Sequence, residues 1–298
     1  MELRSLMTFT AVAETGSFTR AGKKLEISQS AVSQQIRSLE ESLGSALFAR
    51  QARQVTLTQA GNVLLPYARQ ILRKVEEARA VVSDFEGPGR GRVSIGAGGA
   101  ICHHVLPSVL SEFSERFGRI EVQVASGFSA ETLKHTIDGT IDLGILLLPV
   151  ASSGVVATEL GRDELVAIAP PGHPWESLER VRPKDFIDQT LVTYARTTET
   201  FRILERFLLE QGVFPMVGME ISDLEAVKKM VSVGLGVSIV AGWAVRHEAE
   251  LESLVVRPLG NSGLYRTWGL VRRSNEALTA SQRGFINICT NMFPALLR

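Results

Sequence analysis

Up to Phe85 the apolar positions recur at helical spacing in successive blocks, each opened by a small hydroxylated residue or closed by a glycine. Leu3, Leu6, Met7, Val12 and Ala13 form the first stripe, which stops at Gly16, a residue suited to the left-handed turn that ends a helix. Ser17 then caps a short helix reaching Leu25, with Phe18, Ala21 and Leu25 on its inner side. Ser28 caps a third helix that ends at Gly44, and Ala31, Val32, Ile36, Leu39 and Leu43 face inward from it. The opposite face carries Gln29, Ser30, Ser33, Gln34 and Arg37, short polar side chains and one cation. Leu47 to Leu57 reads as a small β wing with Arg53 at its tip. From Thr58 onward Leu64, Ala68, Ile71, Val75, Ala78, Val82 and Phe85 alternate in steps of four and three, the seam of a coiled coil. A long helix that pairs with a second copy is expected there, bent locally at Pro66. Gly87, Pro88, Gly89, Arg90 and Gly91 break it and form a hinge.

Beyond the hinge the periodicity changes to short apolar strands alternating with helices. Val93 to Ala97, a helix from His103 to Phe117, Ile120 to Ser126, a helix from Ser129 to Asp138, and Ile141 to Leu147 give the βαβαβ order of an open parallel sheet. A second set follows: strands Leu165 to Ala169 and Thr190 to Tyr194, a helix from Thr198 to Gln211, strand Val217 to Ile221, a helix from Asp223 to Val233, and strand Val237 to Val240. Two such lobes enclose a cleft.

Composition narrows this picture. A chain of 298 residues, 45% hydrophobic and 21% charged, is long enough for two or three globular units. The uncharged stretches Leu143 to Thr158 and Met230 to Val245 are too short and too interrupted to span a bilayer, and the N-terminus lacks the apolar run of a secretory signal. With only Cys102 and Cys289 there is no disulfide framework, so a reducing cytoplasm is the expected location. The formal net charge of +0 hides an asymmetry: Met1 to Arg90 holds 12 Lys+Arg against 9 Asp+Glu, a balance of +3, which the remainder offsets. No acid lies between Glu41 and Glu76, whereas Arg50, Arg53, Arg69, Arg73 and Lys74 do, a concentration suited to phosphate contact. Two helices ahead of a polar third helix, then a basic wing, give the order of a winged helix-turn-helix. Gln29, Ser30, Ser33, Gln34 and Arg37 are then candidates for base and phosphate contact in the major groove, and Arg50 and Arg53 for the backbone or minor groove.

The run AETGSFTRAGKKLEISQSAVSQQIRSLEESLGSALFAR followed by LTQAG resembles the signature of LysR-type regulators, with matches that include Ser28, Ala31, Val32, Ser33, Ile36, Leu39, Glu40, Leu43, Gly44, Phe48, Thr58 and Gly61. Gly22 departs from it, standing where the family usually has Ala, and weakens its helix by about 1 kcal/mol if exposed. ELVAIAPPGHPW and DLEAVKKMVSVGLGVSIVAGWAV resemble the family's C-terminal half more loosely, and Ala100 and Ala241 depart where Ser or Thr and Pro are usual. The resemblance covers essentially the whole chain. It implies an α/β architecture in three parts: a winged helix-turn-helix DNA-binding domain over 1–58, a linker dimerisation helix and hinge over 59–91, and a two-lobed periplasmic-binding-protein-like effector domain over 92–298. It further implies a non-enzymatic transcription regulator that binds double-stranded promoter DNA as a homodimer or homotetramer, responds to a small-molecule effector, and has RNA polymerase as a further partner.

Ligands of open α/β lobes sit beyond strand ends, where helix N-termini expose N–H groups. That geometry nominates Gly98, Gly99 and Ala100 after the first strand, Ser126, Phe128 and Ser129 after the second, Thr197, Thr198 and Thr200 before the second-lobe helix, and Ser222 before the next. Each hydroxyl taken singly reads as a helix cap; their convergence points to a polar or anionic effector, and no acidic cluster is expected to repel one. Gly96, Gly98 and Gly99 do not complete a dinucleotide fingerprint, because Ile101 fills the third glycine position. His103 and His104 lack further ligands at metal spacing, so neither a metal nor a cofactor is expected. No nucleophile, base and oxyanion set suggests an enzyme. The alternative signal is oxidation of Cys102, whose place near a helix N-terminus favours a lowered thiol pKa.

Overall fold

The hydroxyl and glycine punctuation of the N-terminal sequence is reproduced in the backbone of α1 (Leu3–Thr15), α2 (Phe18–Leu25) and α3 (Gln29–Leu43). Gly16 and Gly44 take φ of 60° and 67° at the helix ends, while the Ser17 and Ser28 side chains accept from the N–H groups of Arg20 and Ala31. This computed structural model describes residues 1–51, 54–84 and 91–298. They divide into two compact units, one built chiefly from Met1–Gly87 and one from Pro88–Ile137 and Ile141–Arg298. Residues 87–90 of the expected hinge lie outside the described residues, as does Arg53.

In the first unit α1, α2 and α3 enclose a core of Leu6, Phe9, Val12, Val32, Ile36 and Leu39. The wing follows as β1 (Phe48–Gln51) paired antiparallel with β2 (Gln54–Leu57), and Phe48 packs its ring 5.4 Å from Phe9 and 5.8 Å from Phe18. Leu3 and Met7, expected inside, are exposed; the buried stripe of α1 is Leu6, Phe9 and Val12. Leu43 of the expected α3 stripe is also exposed. Gly22 is buried, and a Cβ there would stand 2.8 Å from the Ile27 carbonyl, so this departure fits the tight turn between α2 and α3 instead of weakening the fold.

Helix α4 (Gln59–Asp84) starts under Thr58, whose hydroxyl accepts from Gly61 N and donates to the Ala46 carbonyl. The seam read from its sequence is corrected in part. Ala68 is fully buried, and Leu64 and Ile71 pack beside it, all against the core of their own unit. Three short helices leave one side of that core open, and the first turns of α4 close it. The side chains of Val82 and Phe85 lie outside the described residues.

The second unit begins with the expected parallel set. β3 (Gly91–Ala97) lies between β4 (Ile120–Ser126) and β5 (Leu143–Leu148), with α5 (Gly99–His104), α6 (Leu106–Arg116) and α7 (Ser129–Asp138) as crossovers. The single helix expected from His103 is divided at Val105, because Pro107 at the start of α6 has no N–H to continue the ladder. The strand expected to begin at Leu165 is the end of β6 (Val155–Ala169), which runs antiparallel to β11 (Leu264–Arg273).

These two strands carry the chain between lobes. The Thr267–Val271 stretch of β11 pairs with β5 in the first lobe, while Leu165–Ile168 of β6 pairs with β9 (Ser238–Ala241) in the second and Val166–Ala169 pairs with β10 (Val255–Pro258). Between them the register shifts at Trp268/Gly269. The second lobe adds parallel β7 (Thr190–Thr193) and β8 (Met216–Glu220), with α8 (Glu199–Leu209), α9 (Leu224–Ser232) and α10 (Arg246–Glu250). Helix α11 (Ala280–Leu296) returns to the first lobe and packs on β6 and α6.

Candidate functional site

On α3 the buried stripe of Val32, Ile36 and Leu39 leaves Gln29, Ser30, Gln34 and Arg37 exposed and Ser33 half-buried. The face is lightly tied: Ser28 and Ser30 hydroxyls lie 2.9 Å apart and Gln29 donates to Ser33 at 3.4 Å, while Gln34 and Arg37 form no hydrogen bond or ion pair among the described residues. Behind it, Thr8 donates to Gln35 and fixes α3 on α1. Glu40 Oε1 accepts from the N–H groups of Leu47 (2.8 Å) and Phe48 (3.3 Å), so α3 and the wing are held by one carboxylate. The sequence signature contains Glu40 without revealing that role. The Arg50 side chain and all of Arg53 lie outside the described residues.

In the second unit a cavity of about 490 Å³ opens between the lobes, lined by all ten nominated residues: Gly98, Gly99, Ala100, Ser126, Phe128, Ser129, Thr197, Thr198, Thr200 and Ser222. Several of the hydroxyls are already engaged, that of Ser126 with Cys102. Thr198 caps α8, accepting from Phe201 N at 3.2 Å and donating to the Ala195 carbonyl, and Thr200 accepts from Arg266 at 2.7 Å. The expectation of a rim without acids is overturned, since Glu131, Glu199 and Asp223 also line the cavity. Each stands at or next to a helix N-terminus, where the free N–H groups and the helix dipole favour a carboxylate, so the device that attracts an anion is partly satisfied by the protein itself.

Sequence reasoning missed the cavity's inner wall, formed by Tyr194, Trp243, Arg266 and Trp268. Arg266 is 7% exposed and donates through Nε (3.1 Å) and Nη2 to the fully buried Asp163, which also accepts from the Trp243 indole at 2.8 Å. The alternation of LYRTWGLVRR marks β11 as a strand, but Asp163 lies 103 residues away and no local signal joins the two.

Beside the cavity, His104 of α5 lies 2.8 Å from Glu225 of α9, and Glu225 meets Lys228, which also pairs with Glu248 and donates to the Ala244 carbonyl. This chain of charges ties the first lobe to the second. Burial works against the Glu225 carboxylate, yet hydrogen bonds from Lys228 and His104 outweigh it and hold its pKa below the usual range. A depressed carboxylate pKa stabilises the fold above the unfolded value, about 4.3, and the contribution is lost as pH falls through the folded value. Glu225→Gln is therefore expected to cost about 0.5 to 1 kcal/mol at neutral pH, reduced by solvent screening, and progressively less as pH falls below the unfolded value. Melting curves that differ equally above and below that value would contradict this. For Cys102 burial raises the thiol pKa despite the opposing hydrogen bond with the Ser126 hydroxyl, opposite to the lowering expected from its place near a helix N-terminus.

Among the described residues no group of His, Cys, Asp and Glu could hold a metal ion, and no helix is long and apolar enough to cross a membrane.

A winged helix-turn-helix beside a two-lobed unit with a ligand-sized cavity defines a helix-turn-helix regulatory protein, and similarity to known proteins narrows the class. Residues 3–62 match the bacterial regulatory helix-turn-helix protein, lysR family, and residues 86–294 match the LysR substrate binding domain. The RuBisCO operon transcriptional regulator of Allochromatium vinosum is 32% identical over 96% of this chain and 94% of its own. The uncharacterized HTH-type transcriptional regulator YbhD of Escherichia coli is 27% identical over 98% and 92%. Full-length OxyR of Pseudomonas aeruginosa has the same fold, with a TM-score of 0.78 at 21% identity over 98% of this chain and 94% of that one. So does CbnR, in a crystal structure with its target DNA, at TM-score 0.70 and 22% identity over 98% and 100%. The chain belongs to the LysR family of transcriptional regulators. Its relatives are named as regulators and not as enzymes.

Proposed function

We propose that the chain reads promoter DNA through the exposed face of α3 and changes its occupancy when a small polar molecule enters the cavity between the lobes. The observation that carries this reading is the convergence of ten independently nominated residues on one cavity, in a chain that also presents an unengaged Gln34 and Arg37 on a capped helix. A ligand shifts such a regulator only by binding one arrangement of the lobes better than another, and a coupling of about 1 to 3 kcal/mol is ordinary. Homodimerisation through α4 supplies the two half-site readers. The outward Val63 and Tyr67, 60% and 61% exposed, are apolar positions that the helix does not use within its own unit. Oxidation of Cys102 is the weaker reading, because its raised pKa leaves little thiolate to react.

Gln34→Ala and Arg37→Ala are each expected to lower affinity for a footprinted promoter fragment by about tenfold to a hundredfold, the ~1 to 3 kcal/mol of a good base contact. Gln34→Ala should also relax sequence preference. Arg53→Ala should weaken binding to all sequences and reduce the salt slope by about one unit. Gel-shift titrations across salt concentrations check all three. Wild-type affinity in every variant would remove α3 and the wing from the interface.

A further inference from the structure

Resting on the cavity reading above, we propose that the ligand is a monocarboxylate with a flat or apolar body, anchored by Arg266, Trp268 and Tyr194, and that the rim rejects polyanions. The first argument is a surplus of donors. A guanidinium has five N–H groups. In Arg266 the edge formed by Nε and Nη2 is taken by Asp163, and one Nη1 proton by Thr200. One N–H remains on each terminal nitrogen, two charged donors that a carboxylate accepts more strongly than a neutral oxygen does. The Trp268 ring lies under this group, its centroid 5.3 Å from the guanidinium carbon, and its indole N–H is buried without a hydrogen-bond partner among the described residues. Buried donors lacking an acceptor are rare in native proteins and call for an explanation. Tyr194 adds a phenol for which no hydrogen-bond partner occurs among the described residues. Burial pushes its pKa up, so it remains a donor at every relevant pH. Arg266, Trp268 and Tyr194 line the same cavity. What the wall lacks is a group rich in lone pairs.

The second argument is charge. Asp163 already balances Arg266, and Glu199 pairs with Arg202 at 3.1 Å. Of the remaining charged lining residues, Glu131 and Asp223 are acidic, and His103 is the one uncommitted basic side chain among the described residues. A second anionic group on the ligand would therefore meet carboxylates and no free Lys or Arg. Phe128, Leu147 and Trp243 add apolar surface beside the hydroxyls of Ser126, Ser129, Thr197 and Ser222, which suits a ligand body that makes dispersion contacts on one side.

The test uses the full chain and a panel of metabolite-sized monocarboxylates, including phenylacetate and hexanoate. Each is paired with its primary amide and with a dicarboxylate or phosphomonoester of the same body, all measured by thermal shift and then calorimetry. The expected result is binding by at least one monocarboxylate, with its amide and its doubly charged counterpart at least tenfold weaker. Trp268→Phe and Tyr194→Phe keep the rings and should each weaken that ligand severalfold, and together at least tenfold, with little change in the unliganded melting temperature. Arg266→Lys, which keeps a cation beside Asp163, should weaken the ligand likewise, with a lower melting temperature because lysine cannot make the paired bonds to Asp163. A panel in which no monocarboxylate binds, or in which phosphomonoesters or amides bind best, overturns the proposal. So does a ligand indifferent to the Trp268→Phe/Tyr194→Phe pair. Gly98→Trp separates this failure from that of the cavity itself. A Cβ at Gly98 meets no atom within 4 Å and the φ of −66° accepts a side chain, so the indole would fill the space. Binding that survives Gly98→Trp places the ligand elsewhere; binding lost there but indifferent to the anchor variants refutes the anchor alone.

Discussion

Asp163→Ala is expected to destabilise the C-terminal unit by about 3 to 5 kcal/mol, the loss characteristic of removing one partner from a buried ion pair. Asp163 is 1% exposed and Arg266 7%, so the guanidinium left behind meets little water, and the Trp243 indole loses its acceptor as well. For a unit of this size the change corresponds to a fall of roughly 10 °C in melting temperature. The control is the double replacement Asp163→Leu with Arg266→Leu, which removes both charges and should regain most of the loss, since apolar side chains of similar volume commonly replace such pairs at little cost. A single variant melting within about 2 °C of the parent would show that the pair is hydrated.

The second large effect is expected at the other end of the chain. Phe9 is fully buried, with its ring against Phe48 of the wing, and Phe9→Ala should cost about 3 to 5 kcal/mol from lost burial and the cavity it leaves. Because the chain divides into two units, calorimetry should show the N-terminal transition move down while the C-terminal one stays in place. DNA affinity should fall at temperatures where the C-terminal unit is intact. Phe9→Leu, which keeps most of the apolar volume, should have a much smaller effect. Equal displacement of both transitions would mean that the units unfold as one.

The features legible from sequence were those with a local cause. Ser17, Ser28, Thr58 and Thr198 each cap the helix that follows, and the polar face of α3 stands where a period of 3.6 residues puts it. The acids on the cavity rim were equally legible and were passed over, since Glu131, Glu199 and Asp223 lie within two residues of the nominated Ser129, Thr198 and Ser222. What a heptad cannot reveal is the identity of the surface it meets: Ala68 and Ile71 satisfy the spacing of a dimer seam while packing on their own unit. Nor can periodicity pair residues across the chain. Arg266 and Asp163 meet because β6 and β11 are neighbours, and that adjacency is set by the whole sheet.

The register shift between Trp268 and Gly269 has a mechanical side. Irregular pairing bends a strand and raises its twist, so this is where a two-strand connection between lobes flexes at least cost. Gly269 meets Leu148 so closely that a Cβ would stand 2.6 Å from its side chain, a close approach of β11 to β5 on one side of the shift. The fulcrum is thus one residue from Trp268 in the cavity wall. Under the proposed function, a molecule held there would work on the short arm of a lever whose long arms are the lobes, so a small displacement at the indole would become a larger one at β4 and β8. The size of the response would then depend on the stiffness of one strand pair.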